Sequence, residues 1–160
     1  MALPLEDRLA ITELIALHGH LVDEGELDRL AEVFTPDVEY DVTDFGQDTL
    51  TGLTQLVDAA LALGAGNPVA HHVTNVVVEE LGDGQVRARS KGLGIKADGS
   101  CGSVTYEDTV VRVRSVWRIA RRRVTARRTP LNGLTPGPTA PLSGARGTAR
   151  PAPTNPQTKH

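Results

Sequence analysis

Residues 70–95 read AHHVTNVVVEELGDGQVRARSKGLGI, in which two stretches suited to β-strands flank Gly82-Asp83-Gly84. The glycines mark a tight turn, so the pattern predicts a β-hairpin. A second turn signal follows at Asp98-Gly99, and strand-like stretches continue to residue 128. The predicted strands cover residues 70–81, 85–95, 102–114 and 116–128. This half of the chain is therefore predicted to be a meander of long antiparallel strands.

The residues before this meander have helical spacing instead. Apolar side chains recur with a period near 3.6 in three segments. The three predicted helices span Leu5–Glu24, Leu27–Phe34 and Leu53–Leu63. Between the last two, Val38, Tyr40 and Val42 alternate with polar residues, which is typical of a half-buried strand. Helices followed by consecutive hairpins indicate an α+β fold, with the helices packed on one face of a curved sheet.

Length and composition suit one compact domain followed by a tail. The chain has 160 residues, of which 39% are hydrophobic. Beyond Thr129 lie seven of the ten prolines, four glycines and no acidic residue. Such a segment cannot bury enough apolar surface to offset the entropy of ordering it. We expect a folded domain over residues 1–132 and a Pro/Gly-rich, mostly disordered tail over residues 133–160.

Composition also disfavours several classes of protein. No apolar run approaches the roughly 18 residues that a membrane span needs, and the first residues lack the pattern of a secretion signal. A soluble, cytoplasmic protein without a membrane partner is therefore expected. The single cysteine, Cys101, excludes an internal disulfide framework and a multi-cysteine zinc site.

Charge is divided unevenly along the chain. Residues 1–48 carry 13 acidic side chains and two arginines, whereas residues 112–128 carry eight arginines and no carboxylate. An arginine-rich run can bind nucleic acid, but this run contains only Trp117 for base stacking and no nucleic-acid motif. We interpret it as a solvated strand face that complements the acidic front, and expect no nucleic-acid partner.

Several short motifs occur in an order that resembles the SnoaL-like branch of the nuclear-transport-factor-2-like superfamily. They are DRLAI (7–11), LVD (21–23), LAEVFTPDVEY (30–40), HHVTN (71–75), YED (106–108) and WRI (117–119). The resemblance implies a cone-shaped fold, in which a curved antiparallel sheet is closed by the three N-terminal helices around an apolar pocket. It also implies a homo-oligomer, since members are often dimers or trimers.

Members of this superfamily catalyse different reactions in similar pockets. They include polyketide cyclases, scytalone dehydratase, bile-acid dehydratase, ketosteroid isomerase and hexachlorocyclohexane dehydrochlorinase. The resemblance therefore implies a small-molecule substrate, apolar or aromatic, without specifying which reaction this chain performs.

Two adjacent histidines are the first candidates for catalysis. On a regular strand His71 shares a face with Val73, Asn75 and Val77, and His72 points to the opposite face. Both faces are largely apolar, so alternation alone does not say which histidine enters the pocket. The resemblance does, because the histidine four residues before the Asn matches the general base of the dehydrochlorinase, and that residue is His71.

Asp23 is the expected partner of this base. It matches the family's helix-end aspartate, which would accept the proton of one ring nitrogen and stabilise the imidazolium that forms. On an ideal helix, however, Asp23 lies on the polar side beside His20. We therefore expect the helix to loosen before Gly25 so that Asp23 turns inward.

His18 and Tyr40 are further candidates for the pocket. His18 lies in the apolar stripe of the first helix, where an unpaired polar group is costly, so we expect it to face the pocket. There it would be a proton donor or a hydrogen-bonded core residue. Tyr40 shares the apolar face of its strand and matches a pocket-lining aromatic residue of the family. Simple packing is the alternative for Tyr40.

Arg122 matches the arginine of the dehydrochlorinase that is thought to assist the departing group. Strand alternation predicts that Arg122 enters the cone while Arg121 and Arg123 face water. The same alternation places Arg118, Ala120 and Val124 on the face of Arg122.

Neither a metal nor a cofactor is expected. His71 and His72 are adjacent rather than spaced to share a metal on one face. The Gly92-Leu93-Gly94 sequence lacks the third glycine and the following helix of a dinucleotide fingerprint.

Together these features predict a cofactor-independent lyase or isomerase of the dehydratase or cyclase type, as found in polyketide or other secondary metabolism. In this hypothesis His71, oriented by Asp23, removes a proton from carbon in a small cyclic substrate. Tyr40, with His18 or Arg122, stabilises the developing oxyanion or departing hydroxyl. The alternative is a non-catalytic module of the same fold that binds a small ligand or pairs with another chain.

Overall fold

A computed structural model of the chain describes residues 3–82, 84–135 and 137. Contacts divide the chain into two units, Met1–Thr129 and Pro130–His160. In the second unit the described residues include one short 3-10 turn, Pro130–Gly133. Apart from residues 133–135 and 137, the tail predicted over residues 133–160 lies outside the described residues.

The first unit has two α-helices and six strands among its described residues. Helix α1 spans Leu5–Asp23, a 3-10 helix spans Leu27–Glu32, and α2 spans Gly52–Leu63. The strands are β1 (Phe34–Asp41), β2 (Leu50–Thr51), β3 (Ala70–Gly82), β4 (Gln85–Ile95), β5 (Cys101–Val113) and β6 (Val116–Ala126). Further 3-10 turns lie at Thr43–Phe45 and Gly64–Gly66. In the described part of the chain, no helix is both long and apolar enough to cross a membrane.

The six strands form one curved, open sheet in the order β2-β1-β6-β5-β4-β3. Strands β3 to β6 are successive antiparallel neighbours, which confirms the predicted meander. Strand β1, however, runs parallel to β6, with Tyr40 beside Arg122, so the prediction of a wholly antiparallel sheet is wrong. The two strands are not joined by a hairpin, and alternation within a strand carries no information on the direction of a distant partner.

The prediction of three α-helices is also wrong, because the second of them, predicted over Leu27–Phe34, is a 3-10 helix that ends at Glu32. Phe34 already belongs to β1, and the carbonyl oxygen of Val33 accepts a hydrogen bond from the N–H of Ile119 in β6 (2.8 Å). Pairing with the sheet therefore overrides a helical spacing that is only two turns long.

A β-bulge interrupts strand β3. Asn75 has a positive φ of 56°, and the pairing with β4 shifts register between Thr74 and Val77. His71 therefore shares the inner face with Val76, while Val77 is 47% exposed. The predicted grouping of His71 with Val77 is wrong because an extra residue reverses the alternation after it.

A second shift in register lies in β6. Thr109 pairs with Arg121 and Val110 pairs with Ile119, so Ala120 is the extra residue. Ile119 before the bulge and Arg122 after it are both buried. The prediction that Arg118 and Ala120 share the inner face of Arg122 is therefore wrong.

The helices lie on the inner face of the sheet, with α1 packed on β3 and α2 on β1. The buried core between these layers is mostly aliphatic and aromatic, and it also contains His18, Asp108 and Arg122. Buried polar and charged groups are costly unless they are paired, so these three residues mark a place where the fold needs specific contacts.

Candidate active site

Helix α1 ends in a Schellman motif directly after Asp23. Gly25 adopts a left-handed φ of 73°, and the N–H groups of Gly25 and Glu26 donate to the carbonyl oxygens of Val22 (3.1 Å) and Leu21 (2.8 Å). The helix is therefore regular through Asp23. The prediction that it loosens to turn Asp23 inward is wrong, because strand β3 covers the side of the helix that carries Asp23.

Gly19 is what allows this close approach of helix and strand. It lies one turn before Asp23, on the same side of α1. A Cβ atom on Gly19 would lie 2.9 Å from the carbonyl oxygen of His71, a distance that real Cβ atoms do not adopt. The absence of a side chain at Gly19 therefore sets how closely Asp23 approaches β3. Sequence reasoning did not single out Gly19.

Asp23 holds His71 through both carboxylate oxygens. Oδ2 accepts the backbone N–H of His71 (2.7 Å), and Oδ1 lies 2.5 Å from the ring Nδ1. A carboxylate oxygen is an acceptor, so the shared proton belongs to Nδ1 and the lone pair of the ring lies on Nε2. His72 points to the opposite face and is exposed. The structure thus brings together the two residues that the sequence paired.

The ion pair of Arg122 and Asp108 contacts His18. Arg122 lies opposite Asp108 on neighbouring strands and donates from Nε and Nη2 to its two carboxylate oxygens, both at 2.7 Å. The third nitrogen, Nη1, lies 3.0 Å from Nδ1 of His18. Both charged side chains are fully buried. Burial, followed by the Arg122 guanidinium and His71, holds the pKa of His18 well below its ordinary value.

Two tyrosines complete the group around His18. The ring centroid of His18 lies 6.4 Å from that of Tyr40 and 6.3 Å from those of Tyr106 and His71. Burial raises the pKa of both phenols, so each hydroxyl keeps its proton and can donate it in a hydrogen bond. Tyr106 lies over Gly92, where a Cβ atom would lie 2.5 Å from its ring.

These side chains line a cavity of about 180 Å³. Its polar wall residues are His18, Tyr40, Gln47, Asn67, His71 and Tyr106, and the others are apolar. An engineered apolar cavity of about 150 Å³ holds benzene, so this volume suits a ligand of about one six-membered ring. Histidine and tyrosine side chains around such a volume can exchange a proton with a bound molecule and donate hydrogen bonds to it.

A model of the SnoaL-like domain family matches residues 4–123 of the chain. The chain belongs to this family. The resemblance seen in the sequence motifs is confirmed, and the SnoaL-like domain covers α1 and nearly all of the sheet.

Solved structures share this fold. An NTF2-like protein with a cystatin-like fold from Novosphingobium aromaticivorans is 31% identical, with a TM-score of 0.62 over 76% of this chain and 82% of its own. A putative aromatic ring hydroxylase from the same organism is 26% identical, with a TM-score of 0.67 over 78% of this chain and 92% of its own. LinA, a hexachlorocyclohexane dehydrochlorinase, is 25% identical, with a TM-score of 0.67 over 84% of this chain and 96% of its own. No curated protein is significantly similar to the chain.

The five predicted site residues of this SnoaL-like domain lie in two layers. His18, Tyr40 and His71 are wall residues of the cavity. Asp23 lies behind His71, and Arg122 lies behind His18. Arg122 enters the interior, as the alternation predicts, but it is not a wall residue, so it does not reach a departing group directly.

Sequence reasoning gave no role to two residues of the site. Asp108 occurred only as part of a family motif, yet it holds the arginine that contacts His18. Tyr106 occurred only as part of a family motif, yet it is a wall residue. The register of β5 against β6 brings Asp108 opposite Arg122, and that register is not visible in either strand alone.

The arginine-rich run of this SnoaL-like domain does not form one basic face. Arg121 and Arg123 are both 58% exposed and lie near Glu39 (3.6 Å) and Asp41 (3.7 Å) on β1. Other arginines of the run also pair with the acidic front, Arg112 with Asp7 and Arg128 with Asp44. The carboxylates of the front therefore offset much of the positive charge of the run.

Among the described residues, no group of three or more His, Cys, Asp or Glu side chains could hold a metal ion. His71 and His72 point to opposite faces of β3, so they do not form a pair of ligands.

Proposed function

We propose that this SnoaL-like domain is a cofactor-independent lyase or isomerase, and that His71 is its general base. The observation that carries the proposal is the double contact of Asp23 with His71, to the backbone N–H (2.7 Å) and to Nδ1 (2.5 Å). These contacts fix the ring in one orientation and leave the lone pair of Nε2 for a substrate. A module that only binds a ligand has no need of an oriented base.

The reaction follows from the groups around the cavity. Nε2 of His71 removes a proton from a carbon next to a carbonyl group, and the electron pair moves onto the carbonyl oxygen. His18, Tyr40 and Tyr106, which surround the cavity, supply donors for that oxygen. When the substrate carries a hydroxyl on the next carbon, the enolate expels it, and the protonated His71 returns its proton to form water. Asp23 stabilises the imidazolium in between.

Dehydration is the leading reaction, and the same groups serve double-bond migration or ring closure. In migration the proton returns from His71 to a different carbon, so no water forms. The substrate is small, cyclic and largely apolar, because the cavity has a volume of about 180 Å³ and mostly apolar walls. Membership of the SnoaL-like domain family, together with the similarity to the dehydrochlorinase LinA, supports a lyase-type reaction.

The proposal is tested with two monocyclic substrates whose products absorb ultraviolet light. Loss of water from 3-hydroxycyclohexanone and migration of the double bond in cyclohex-3-enone both give cyclohex-2-enone. We expect turnover of at least one by the full chain, and its loss in His71→Ala. His72→Ala is the matched control, since this neighbour points away from the cavity.

Turnover that survives in His71→Ala and is lost in His72→Ala would show that the wrong histidine was chosen. Absence of turnover with both compounds, combined with their binding to the wild-type chain, would favour the non-catalytic ligand-binding module instead.

A further inference from the structure

We propose that Arg122, held by Asp108, locks His18 as the neutral tautomer with its proton on Nε2, and that this N–H donates a hydrogen bond to the substrate oxygen. This fixed tautomer, called the lock below, follows from the contacts of these three side chains. The reaction in which His18 takes part rests on the proposed function. His18 is then a catalytic hydrogen-bond donor, and Arg122 and Asp108 are positioning residues.

The tautomer of His18 follows from its contact with a nitrogen of Arg122. Nη1 of Arg122 lies 3.0 Å from Nδ1 of His18. A guanidinium has N–H donors and no acceptor, so Nδ1 must be the acceptor of this hydrogen bond. A neutral imidazole that accepts at Nδ1 carries its proton on Nε2. A doubly protonated ring would instead place two N–H groups against each other in a buried site.

The side chain of Arg122 is held in place by several contacts. Its other two nitrogens both bind Asp108, at 2.7 Å each, which is the bidentate geometry of a strong pair. Its guanidinium carbon lies 4.4 Å from the ring centroid of Tyr106 and 5.4 Å from that of Phe34. Its side chain is also fully buried, and therefore out of contact with bulk solvent. Nη1 therefore stays directed at His18.

Nε2 of His18 is accessible from the cavity. Within the described part of the chain, Nε2 of His18 has no hydrogen-bond partner. The fully buried side-chain atoms there that lack a partner are the hydroxyls of Thr35 and Ser90, and Nε2 is not among them. His18 is also a wall residue of the cavity. Nε2 is thus open to a bound molecule rather than sealed in the core.

A neutral donor at this place suits the proposed proton transfer. The rings of His18 and His71 lie 6.3 Å apart, so both border one small volume. When His71 takes up the substrate proton it becomes a cation, and a second cation at His18 would oppose that step. A neutral ring avoids this repulsion and still stabilises negative charge that develops on the substrate oxygen.

The lock is tested in the wild-type chain by ¹⁵N NMR of its histidine rings, with His18 assigned by the loss of its signals in His18→Asn. We expect the His18 signals at neutral pH to be those of a single neutral tautomer, with the proton on Nε2. The ring of His71 should show the opposite tautomer. An imidazolium, or a proton on Nδ1 of His18, would overturn the proposal whether or not the protein turns over a substrate.

The role of Arg122 is tested by Asp108→Leu with Arg122→Met, in which apolar side chains replace the whole buried pair. Such replacements are often tolerated, whereas removal of one partner leaves a buried charge. We expect His18 in this double variant to populate both neutral tautomers. Arg121→Met is the matched control and should leave the His18 signals unchanged. A pure Nε2–H tautomer in the double variant would show that Arg122 is not the lock.

The donor role is tested with cyclohexanone, which has the carbonyl group and lacks a group to eliminate. Its addition should move the Nε2 proton of His18 downfield, as expected for a new hydrogen bond to a carbonyl oxygen. No change at this proton up to the solubility limit of cyclohexanone would overturn the donor role. Turnover of 3-hydroxycyclohexanone is measured separately, so its absence would count against the proposed function and not against the tautomer.

Discussion

The two histidines of the cavity differ in the chemistry of the side chain behind them. His71 is backed by the carboxylate of Asp23, an acceptor, and His18 is backed by the guanidinium of Arg122, a donor. Both partners contact Nδ1, so the first ring must carry its proton there and the second must not. The same residue type therefore offers a lone pair to the cavity at one position and an N–H at the other.

The two sites also differ in burial. The side chain of His71 is 16% exposed and that of Asp23 is 22% exposed, whereas Arg122 and Asp108 are fully buried. A group that exchanges protons with a substrate needs access to it, while a pair that only holds a ring benefits from the low dielectric of the core. We therefore expect changes in the Asp23–His71 pair to affect mainly the catalytic rate. Changes in the Asp108–Arg122 pair should affect the stability of the fold in addition to the rate.

The largest effect is expected on rate at the His71 site. His71→Ala should lower kcat by about 10²–10⁴-fold, the usual contribution of a general base. Asp23→Asn should be nearly as damaging, because an amide cannot stabilise the imidazolium. The Asp23→Ala, His71→Ala double variant should be scarcely slower than His71→Ala, since the two side chains act as one unit. Losses that multiply in the double variant would show that Asp23 acts independently of His71.

The next largest effect is expected on stability, at the buried pair of Arg122 and Asp108. Arg122→Met leaves Asp108 buried without a partner, and we expect a loss of about 3–5 kcal/mol in the free energy of unfolding. The Asp108→Leu, Arg122→Met double variant should recover most of that loss. Urea unfolding measures both, with the exposed Arg121→Met as the control that stays near the wild-type value. If Arg121→Met is equally costly, burial of Arg122 is not the reason for its effect.

A smaller effect is expected where α1 touches β3. In Gly19→Ala the new Cβ would lie 2.9 Å from the carbonyl oxygen of His71, so helix and strand must separate. Overpacking of this kind costs about 1–3 kcal/mol, and a displaced base lowers kcat by up to about 10²-fold. Gly102→Ala is the matched control, since a Cβ there meets nothing within 4 Å. Full activity of Gly19→Ala would mean that the close approach is not needed for the dyad.

The smallest effect is the dependence of the free energy of unfolding on pH that His18 causes. Burial, Arg122 and His71 lower the pKa of His18 well below its ordinary value. As the pH falls below about 6.5, the unfolded chain takes up a proton at His18 that the folded chain excludes, so the free energy of unfolding decreases. The decrease continues until the folded state is itself protonated at His18.

This dependence is checked by urea unfolding between neutral and acid pH, in the wild type and in His18→Asn. The asparagine retains an acceptor for Arg122 and does not titrate. The charged or titratable groups around His18 are Arg122, His71, Tyr40 and Tyr106, and all four remain in the variant. We expect a shallower decrease in His18→Asn, and equal slopes would contradict a lowered pKa at His18.

Sequence periodicity was sufficient for most of the elements. The four strands of the meander and both α-helices lie where the spacing of apolar residues predicts them, because each is long enough for its period to be unambiguous. The segment predicted as an α-helix over Leu27–Phe34 is a 3-10 helix over Leu27–Glu32, and the two-residue strand Leu50–Thr51 was not predicted, since segments of that length carry too few periods.

The residue types of the site were visible in the sequence, because histidines among apolar residues at His18 and His71 are unusual and each requires a partner. The resemblance also paired His71 with Asp23, whereas the partner of His18 was decided only by the tertiary structure. The register of β5 on β6 sets Asp108 opposite Arg122, the bulges at Asn75 and Ala120 reverse the alternation of their strands, and the missing side chain of Gly19 lets α1 approach β3. These are contacts between segments that are distant in the chain, so no local period encodes them.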